Sequence, residues 1–146
     1  MPTVPRCSPA DADKLVAEQG YTHVDVRTQA EYDAGHPAGS INVPFMLAGP
    51  GGMAQNTDFV RVMDGLFSKD SKIVLDCRSG ARSLRAAELL MSHGYTQVVD
   101  QRAGFEGPRD PMGRPIEPGW KAAGLPVENM TPGGSYAEIL QKIGAK

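Results

Sequence analysis

One cysteine stands out by its neighbours. Ile73-Val74-Leu75-Asp76-Cys77-Arg78-Ser79-Gly80-Ala81-Arg82-Ser83 reads as a short buried strand followed by a tight loop that opens on Cys77. Leu84-Arg85-Ala86-Ala87-Glu88-Leu89-Leu90 continues as an amphipathic helix. That order sets the thiol at the mouth of a ring of backbone N–H groups, where a helix presents its positive end and anions are held. Arg78 and Arg82 add charge of the same sign. A cysteine in that setting favours its thiolate, the nucleophilic form. The chemistry implied is attack by sulfur on an anionic substrate, with a covalent intermediate on Cys77. Arg78, Ser79, Gly80, Ala81, Arg82 and Ser83 form the candidate substrate-binding set. The backbone of 78–82 is the anion cradle, and the two guanidinium forks match oxyanions. Ser79 and Ser83 offer hydroxyls, Ser83 doubling as a cap of the helix, and Gly80 lets the backbone close.

The other reactive side chains lack such a setting. Cys7 lies in a Pro-rich N-terminus with no partner motif and reads as incidental; a resolving role needs it within disulfide reach of Cys77. His23, His36 and His93 show no metal-ligand spacing with the cysteines and read as turn or surface histidines. No metal and no organic cofactor is implied. Asp25 and Arg27 read as structural support beneath the site. Asp76 directly precedes the nucleophile; a carboxylate turned toward the thiol opposes its ionisation, whereas one turned to solvent or paired with an arginine does not. Arg102, Arg109 and Arg114 either solubilise their loop or form a docking patch.

Elements that position Cys77 can be read along the chain. Ser8-Pro9-Ala10-Asp11 opens a helix with an N-cap serine, proline at the first helical position and an early acid, and Gly20 stops it. Strands are expected at Thr22–Arg27, Ser40–Pro44, Lys72–Asp76 and Gln97–Asp100. Glu31–Pro37 reads as a short turn or helix, Leu47–Thr57 as a loop, and Phe59–Phe67 and Ser83–Ser92 as helices. Gly104–Gly119 is a Pro- and Gly-rich loop, Trp120–Gly124 one helical turn, and Tyr136, Ile139, Leu140 and Ile143 a C-terminal helix, packed on the domain or joining a dimer. Strands alternating with helices argue for an α/β domain with a mainly parallel sheet, whose functional loops lie at the carboxyl ends of strands, where Cys77 falls.

A length of 146 residues fits one domain, and 40% hydrophobic with 22% charged residues is ordinary for a globular protein. The net charge of −2 gives no nucleic-acid footprint. No apolar stretch is long enough to span a bilayer, and Met1–Cys7 lacks the apolar segment of a signal peptide. Two cysteines are too few for a disulfide framework, so a reducing, cytoplasmic compartment is expected.

Three stretches, in order, resemble the single-domain form of the rhodanese (thiosulfate sulfurtransferase) family. Val24-Asp25-Val26-Arg27, Glu31-Tyr32 and Gly35-His36-Pro37-Ala38-Gly39-Ser40-Ile41-Asn42-Val43-Pro44 resemble its first signature, with Pro37-Ala38 in place of Ile-Pro. Cys77-Arg78-Ser79-Gly80-Ala81-Arg82-Ser83 is similar to its catalytic loop, and Gly104-Phe105-Glu106-Gly107 with Gly119–Val127 to its closing motif. The resemblance implies a rhodanese-like α/β domain, a central mainly parallel sheet flanked by helices on both faces. Residues 1–146 form one such domain, the resemblance covering about 8–127 and a helical extension about 133–144.

The activity implied is transfer of a sulfane sulfur from thiosulfate, or a similar small sulfur-containing anion, through a Cys77 persulfide. The acceptor is cyanide, glutathione or a protein thiol, to which Cys77 is accessible because no second domain lies over the loop. Phosphatases of the tyrosine and dual-specificity classes separate cysteine and arginine by one residue more than Cys77 and Arg82 are separated. The shorter loop disfavours a phosphatase or arsenate reductase, and a sulfur-carrying, partner-binding module with little turnover is the other alternative. Neither nucleic acid nor membrane is implied as a partner.

Overall fold

Apolar, β-branched residues flanked by polar ones make Lys72–Asp76 the middle of the molecule. The computed structural model describes residues 3–144. In chain order the elements are β1 (Arg6–Cys7), α1 (Pro9–Gln19), β2 (Thr22–Asp25), α2 (Gln29–Ala34), β3 (His36–Pro37), β4 (Ile41–Asn42) and β5 (Met46–Gly49). Then follow β6 (Gly52–Gln55), α3 (Phe59–Leu66), β7 (Lys72–Asp76), α4 (Ala81–Ser92), β8 (Gln97–Gln101), β9 (Val127–Glu128) and α5 (Tyr136–Lys142). Five strands form one sheet in the order β1-β8-β7-β2-β4, every neighbouring pair parallel.

Alternation along the strands sorts the core into two clusters. Val24, Ile73, Leu75 and Val98 face α3, α4 and α5 through Val62, Met63, Ala86, Ala87, Leu90 and Ile139. Val74 faces the other way, against Ala12 of α1, Phe105 and Trp120. Helices therefore cover both faces. α5 docks on the larger cluster through Ile139, and its capping box, Ser135 with Glu138, satisfies orphan N–H groups at its start.

Local signals set most boundaries. Ser8 caps α1 through Asp11 N–H, with Pro9 behind it and Gly20 at the far end. Three features depart from expectation. Leu47–Thr57, read as a loop, is mostly the antiparallel hairpin β5–β6, which begins at Met46 and is joined by Pro50-Gly51; its alternation is masked by four glycines and prolines in succession. The N-terminus carries a strand, β1, whose pairing with β8 is too distant in sequence to read. Finally, β3 pairs antiparallel with β9 across the chain's C-terminal third.

Candidate active site

The loop between β7 and α4 closes on backbone. The Gly80 N–H donates to Cys77 Sγ at 3.1 Å. Gly80 is the N-cap of α4 with φ 103°, and a Cβ there would collide with the Arg102 carbonyl oxygen, so only glycine closes this turn. A second loop grips the first: Phe105 N–H donates to the Cys77 carbonyl at 2.7 Å, and Glu106 and Gly107 N–H donate to the Arg78 carbonyl at 2.9 and 3.2 Å. The Cys77 and Arg78 carbonyls are thus occupied by the second loop. Among the described residues, the N–H groups of Arg78, Ser79, Ala81, Arg82 and Ser83 donate to no protein acceptor. Unpaired donors at a helix N-terminus, beside a thiol, are what an anion needs.

Side chains of the loop separate by role. Arg78 and Ser79 are exposed, and Arg78 enters no salt bridge among the described residues. Arg82, half-buried, forks onto Glu31: Nη1 to Oε1 at 2.8 Å and Nη2 to Oε2 at 3.1 Å. Burial works against the Glu31 carboxylate, but the Arg82 fork and the Thr28 hydrogen bonds hold its carboxyl down to about 2. Ser83 is fully buried and its hydroxyl donates inward, to the Gly80 carbonyl at 3.4 Å. It does not cap the helix, because α4 starts two residues earlier than Ser83, at Ala81.

Asp25 and Arg27 pair with each other and are buried. Arg27 Nη2 donates to Asp25 Oδ2 at 2.7 Å and to the Gly35 carbonyl at 2.6 Å, and the guanidinium sits 4.4 Å from the Phe105 ring centre. Burial, then the neighbouring Asp76, push the Asp25 carboxyl up to about 6, with Arg27 opposing. Asp76 is level with Asp25 across the β2–β7 pair and fully buried. It turns neither to solvent, nor to an arginine, nor to the thiol. Alternation puts it on the Val74 face, away from Cys77, with Oδ2 3.1 Å from His23 Nε2 but without hydrogen-bond alignment. His23 and His36 are therefore buried rather than surface residues; His36 stacks on Tyr32 and bonds Thr131 at 2.8 Å.

Cys7 packs against the smaller cluster and Cys77 in the larger one, on opposite faces of the sheet. Burial, then Asp11 and Asp100, push the Cys7 thiol up to about 11. Cys77 itself is only 1% exposed, which corrects the expectation of an openly accessible thiol. Enclosure comes from the chain's own loops, not from a second domain. A polar groove of about 390 Å³, lined by Arg27, Glu31, Arg78, Phe105, Glu106 and Lys121 among others, lies to one side of Arg78. Another, against the hairpin, shares Glu31 and Arg78 with it.

Glu31 is the residue with a site contact that the sequence did not assign. Its capping box with Thr28 carries the local Thr-x-x-Glu signature, which the sequence reading did not use, whereas the Arg82 contact spans 51 positions and has no local signal. Arg102, by contrast, is exposed but tied to Glu117 at 2.8 Å, whereas Arg109 and Arg114, also exposed, enter no salt bridge among the described residues.

Comparison with known proteins places this geometry. The model of the rhodanese-like domain family matches residues 8–108, so the similarity read for 119–127 lies beyond it. The senescence-associated protein DIN1 of Raphanus sativus is 40% identical over 102 residues, 70% of this chain and 56% of that protein. Thiosulfate sulfurtransferase 16, chloroplastic, of Arabidopsis thaliana is 35% identical over 116 residues, 80% of this chain and 85% of its own length. The chain thus spans little more than half of some curated relatives. Among solved structures, that of Rv0390 from M. tuberculosis superposes with a TM-score of 0.71 at 28% identity, over 88% of this chain and all of the other. A matched family model over most of the chain, the parallel sheet and a cysteine loop at the end of its middle strand carry one conclusion: the chain belongs to the rhodanese-like domain family.

Proposed function

We propose that this domain is a sulfurtransferase working through a persulfide on Cys77. The observation that carries the reading is the set of unpaired loop N–H groups around a thiol already hydrogen-bonded by Gly80. The Cys77 thiolate attacks the outer sulfur of thiosulfate or a similar donor; a new S–S bond forms, the donor's S–S bond breaks, and sulfite leaves with the electron pair. The acceptor, as a thiolate or cyanide, then attacks the terminal sulfur and Cys77 departs as thiolate. The cradle of 78–82 stabilises the anionic donor and the persulfide anion. Arg78 meets the donor's oxygens directly. Arg82 carries five N–H donors and uses two on Glu31, so the rest are left for a donor oxygen. No helix among the described residues is long and apolar enough to cross a membrane. A reducing compartment, the cytoplasm in this reading, suits a working thiol.

Burial of Cys77 favours one refinement: small donors and acceptors reach the sulfur more easily than a protein thiol, for which Arg78 and its loop must move aside. The extreme of that refinement is a sulfur carrier with slow discharge. Intact mass after thiosulfate treatment, followed by a cyanide chase, tests both. A gain of one sulfur by the wild type and none by Cys77→Ser, released as thiocyanate, supports sulfur transfer. Retention of the sulfur supports the carrier. Equal behaviour of Cys77→Ser and wild type refutes the mechanism.

A further inference from the structure

The hairpin β5–β6 stands apart from the five-stranded sheet, and all its residues except Met46 are exposed. Met46, Ala48 and Met53 lie on one face of it, because Ala48 pairs with Met53 and alternate residues point the same way. That face looks across a groove of about 500 Å³ at Glu31, Arg78 and Arg82. The two walls differ in kind. One is hydrocarbon and thioether, with Met53 45% exposed. The other presents Arg78, which enters no salt bridge among the described residues, next to the Arg82–Glu31 pair. A groove of this size exceeds what a tetrahedral sulfur oxyanion fills and suits an organic molecule. An ion needs no apolar wall, so the wall points to a ligand with hydrocarbon to bury.

We infer that this groove is the acceptor subsite, and that it takes a small organic thiol with an apolar body. The inference rests on the sulfurtransferase reading for its chemistry. The thiolate enters beside Arg78, which attracts its charge, while the body lies along Met46, Ala48 and Met53. Attack on the terminal sulfur of the Cys77 persulfide forms an alkyl persulfide anion, breaks the S–S bond to Cys77 and returns the Cys77 thiolate. The hairpin thus selects the acceptor, while the loop N–H groups serve the donor.

Two measurements test it. The first compares discharge of the loaded protein by ethanethiol, propanethiol and butanethiol, whose thiols are alike in acidity and differ only in methylenes. A fully buried methylene is worth about fourfold, so the two added from ethanethiol to butanethiol, half-buried at this open wall, should raise kcat/KM roughly fourfold. In Met53→Gln that ratio should fall to within about twofold of one, whatever the absolute rates. Equal rates for the three thiols, or an unchanged ratio in Met53→Gln, would overturn the subsite. The second measurement needs no turnover. Methionine methyl signals of labelled protein are followed while butyl methyl sulfide, which cannot accept sulfur, is added. Shifts at Met46 and Met53, with core Met63 unmoved, support the groove; no shift at either overturns it. Shifts in a protein that never loads sulfur would instead sink the sulfurtransferase reading and leave the apolar groove standing.

Discussion

Gly104→Ala separates the support of the Cys77 loop from the loop itself. Gly104 has φ 72°, and a Cβ there would stand 2.6 Å from the carbonyl carbon and oxygen of Arg78 and 2.7 Å from the Ser79 nitrogen. Ordinary contact begins at 3.4 Å, so the loop must retreat by most of an ångström. A left-handed alanine costs about 1–2 kcal/mol. Reduced freedom of the unfolded chain offsets about 0.4–1 kcal/mol of that. Displacing packed backbone adds about 1–3 kcal/mol. The net is a loss of about 2–4 kcal/mol, or roughly 5–15 °C in Tm for a domain of this size. Gly39→Ala is the control: its φ is 82°, but nothing lies within 4 Å of the added Cβ, and its loss should be about 1 kcal/mol or less. Because the retreating carbonyl is the one that Glu106 and Gly107 hold, sulfur loading per folded molecule should fall about ten- to a hundredfold. Urea unfolding of both variants, with loading rates measured by intact mass under native conditions, makes the comparison. Equal losses of stability in the two, or a wild-type loading rate in Gly104→Ala, would refute the argument that this segment shapes the loop.

Glu31→Gln should lower stability at pH 7 by about 1 kcal/mol, the depressed carboxyl discounted for solvent screening. The folded value of about 2 lies below the ordinary 4.5, so this contribution is full above 4.5 and lost as pH falls toward 2. Denaturation of wild type and variant at pH 7 and pH 3 should show the gap narrowing; a gap independent of pH would place the effect elsewhere. Cys7, pushed up to about 11 and packed under α1, should stay unalkylated by iodoacetamide at pH 8 in the native protein and react on unfolding. Mapping the modified peptide checks this, and rapid native labelling of Cys7 would show the edge of the sheet to be open.

Residues close in sequence made much of this molecule legible. Ser8-Pro9 announced α1, Lys72–Asp76 the middle strand, and the run from Cys77 to Ser92 a loop feeding a helix, because caps and periodicity act over one or two turns. The start of that helix, whose unpaired N–H groups flank Cys77, was legible for the same reason. What was not legible depends on partners far apart. That Arg82 shares its guanidinium with Glu31, 51 residues away, has no local signal. Asp76 could not be oriented from sequence, since only the phase of β7 against its two neighbours decides which face a side chain joins. The same holds for β1, whose partner strand is 94 residues on. The apolar face of the hairpin was hidden because Gly49-Pro50-Gly51-Gly52 reads as an irregular stretch, although it is the turn of a ribbon.

The pairing of β1 with β8 carries a consequence for where this domain can be cut. Arg6 Nε lies 2.7 Å from Asp100 Oδ2, and Asp100 is fully buried beneath α4. Burial pushes the Asp100 carboxyl up, with Ser83 and Arg6 opposing. A chain trimmed to residue 8, where the family match begins, would keep the carboxylate and lose its counter-charge. Such a loss costs about 3 kcal/mol, the lower end of the range for a broken buried pair because Arg6 is partly exposed. The trimmed chain would also make the five-residue β8, in place of the two-residue β1, the edge of the sheet, a longer row of ladder groups open to pairing with other chains. The physical boundary of the unit therefore precedes the boundary of its family likeness, and a graft or fusion that respects only the latter would inherit both an uncompensated charge and a tendency to associate.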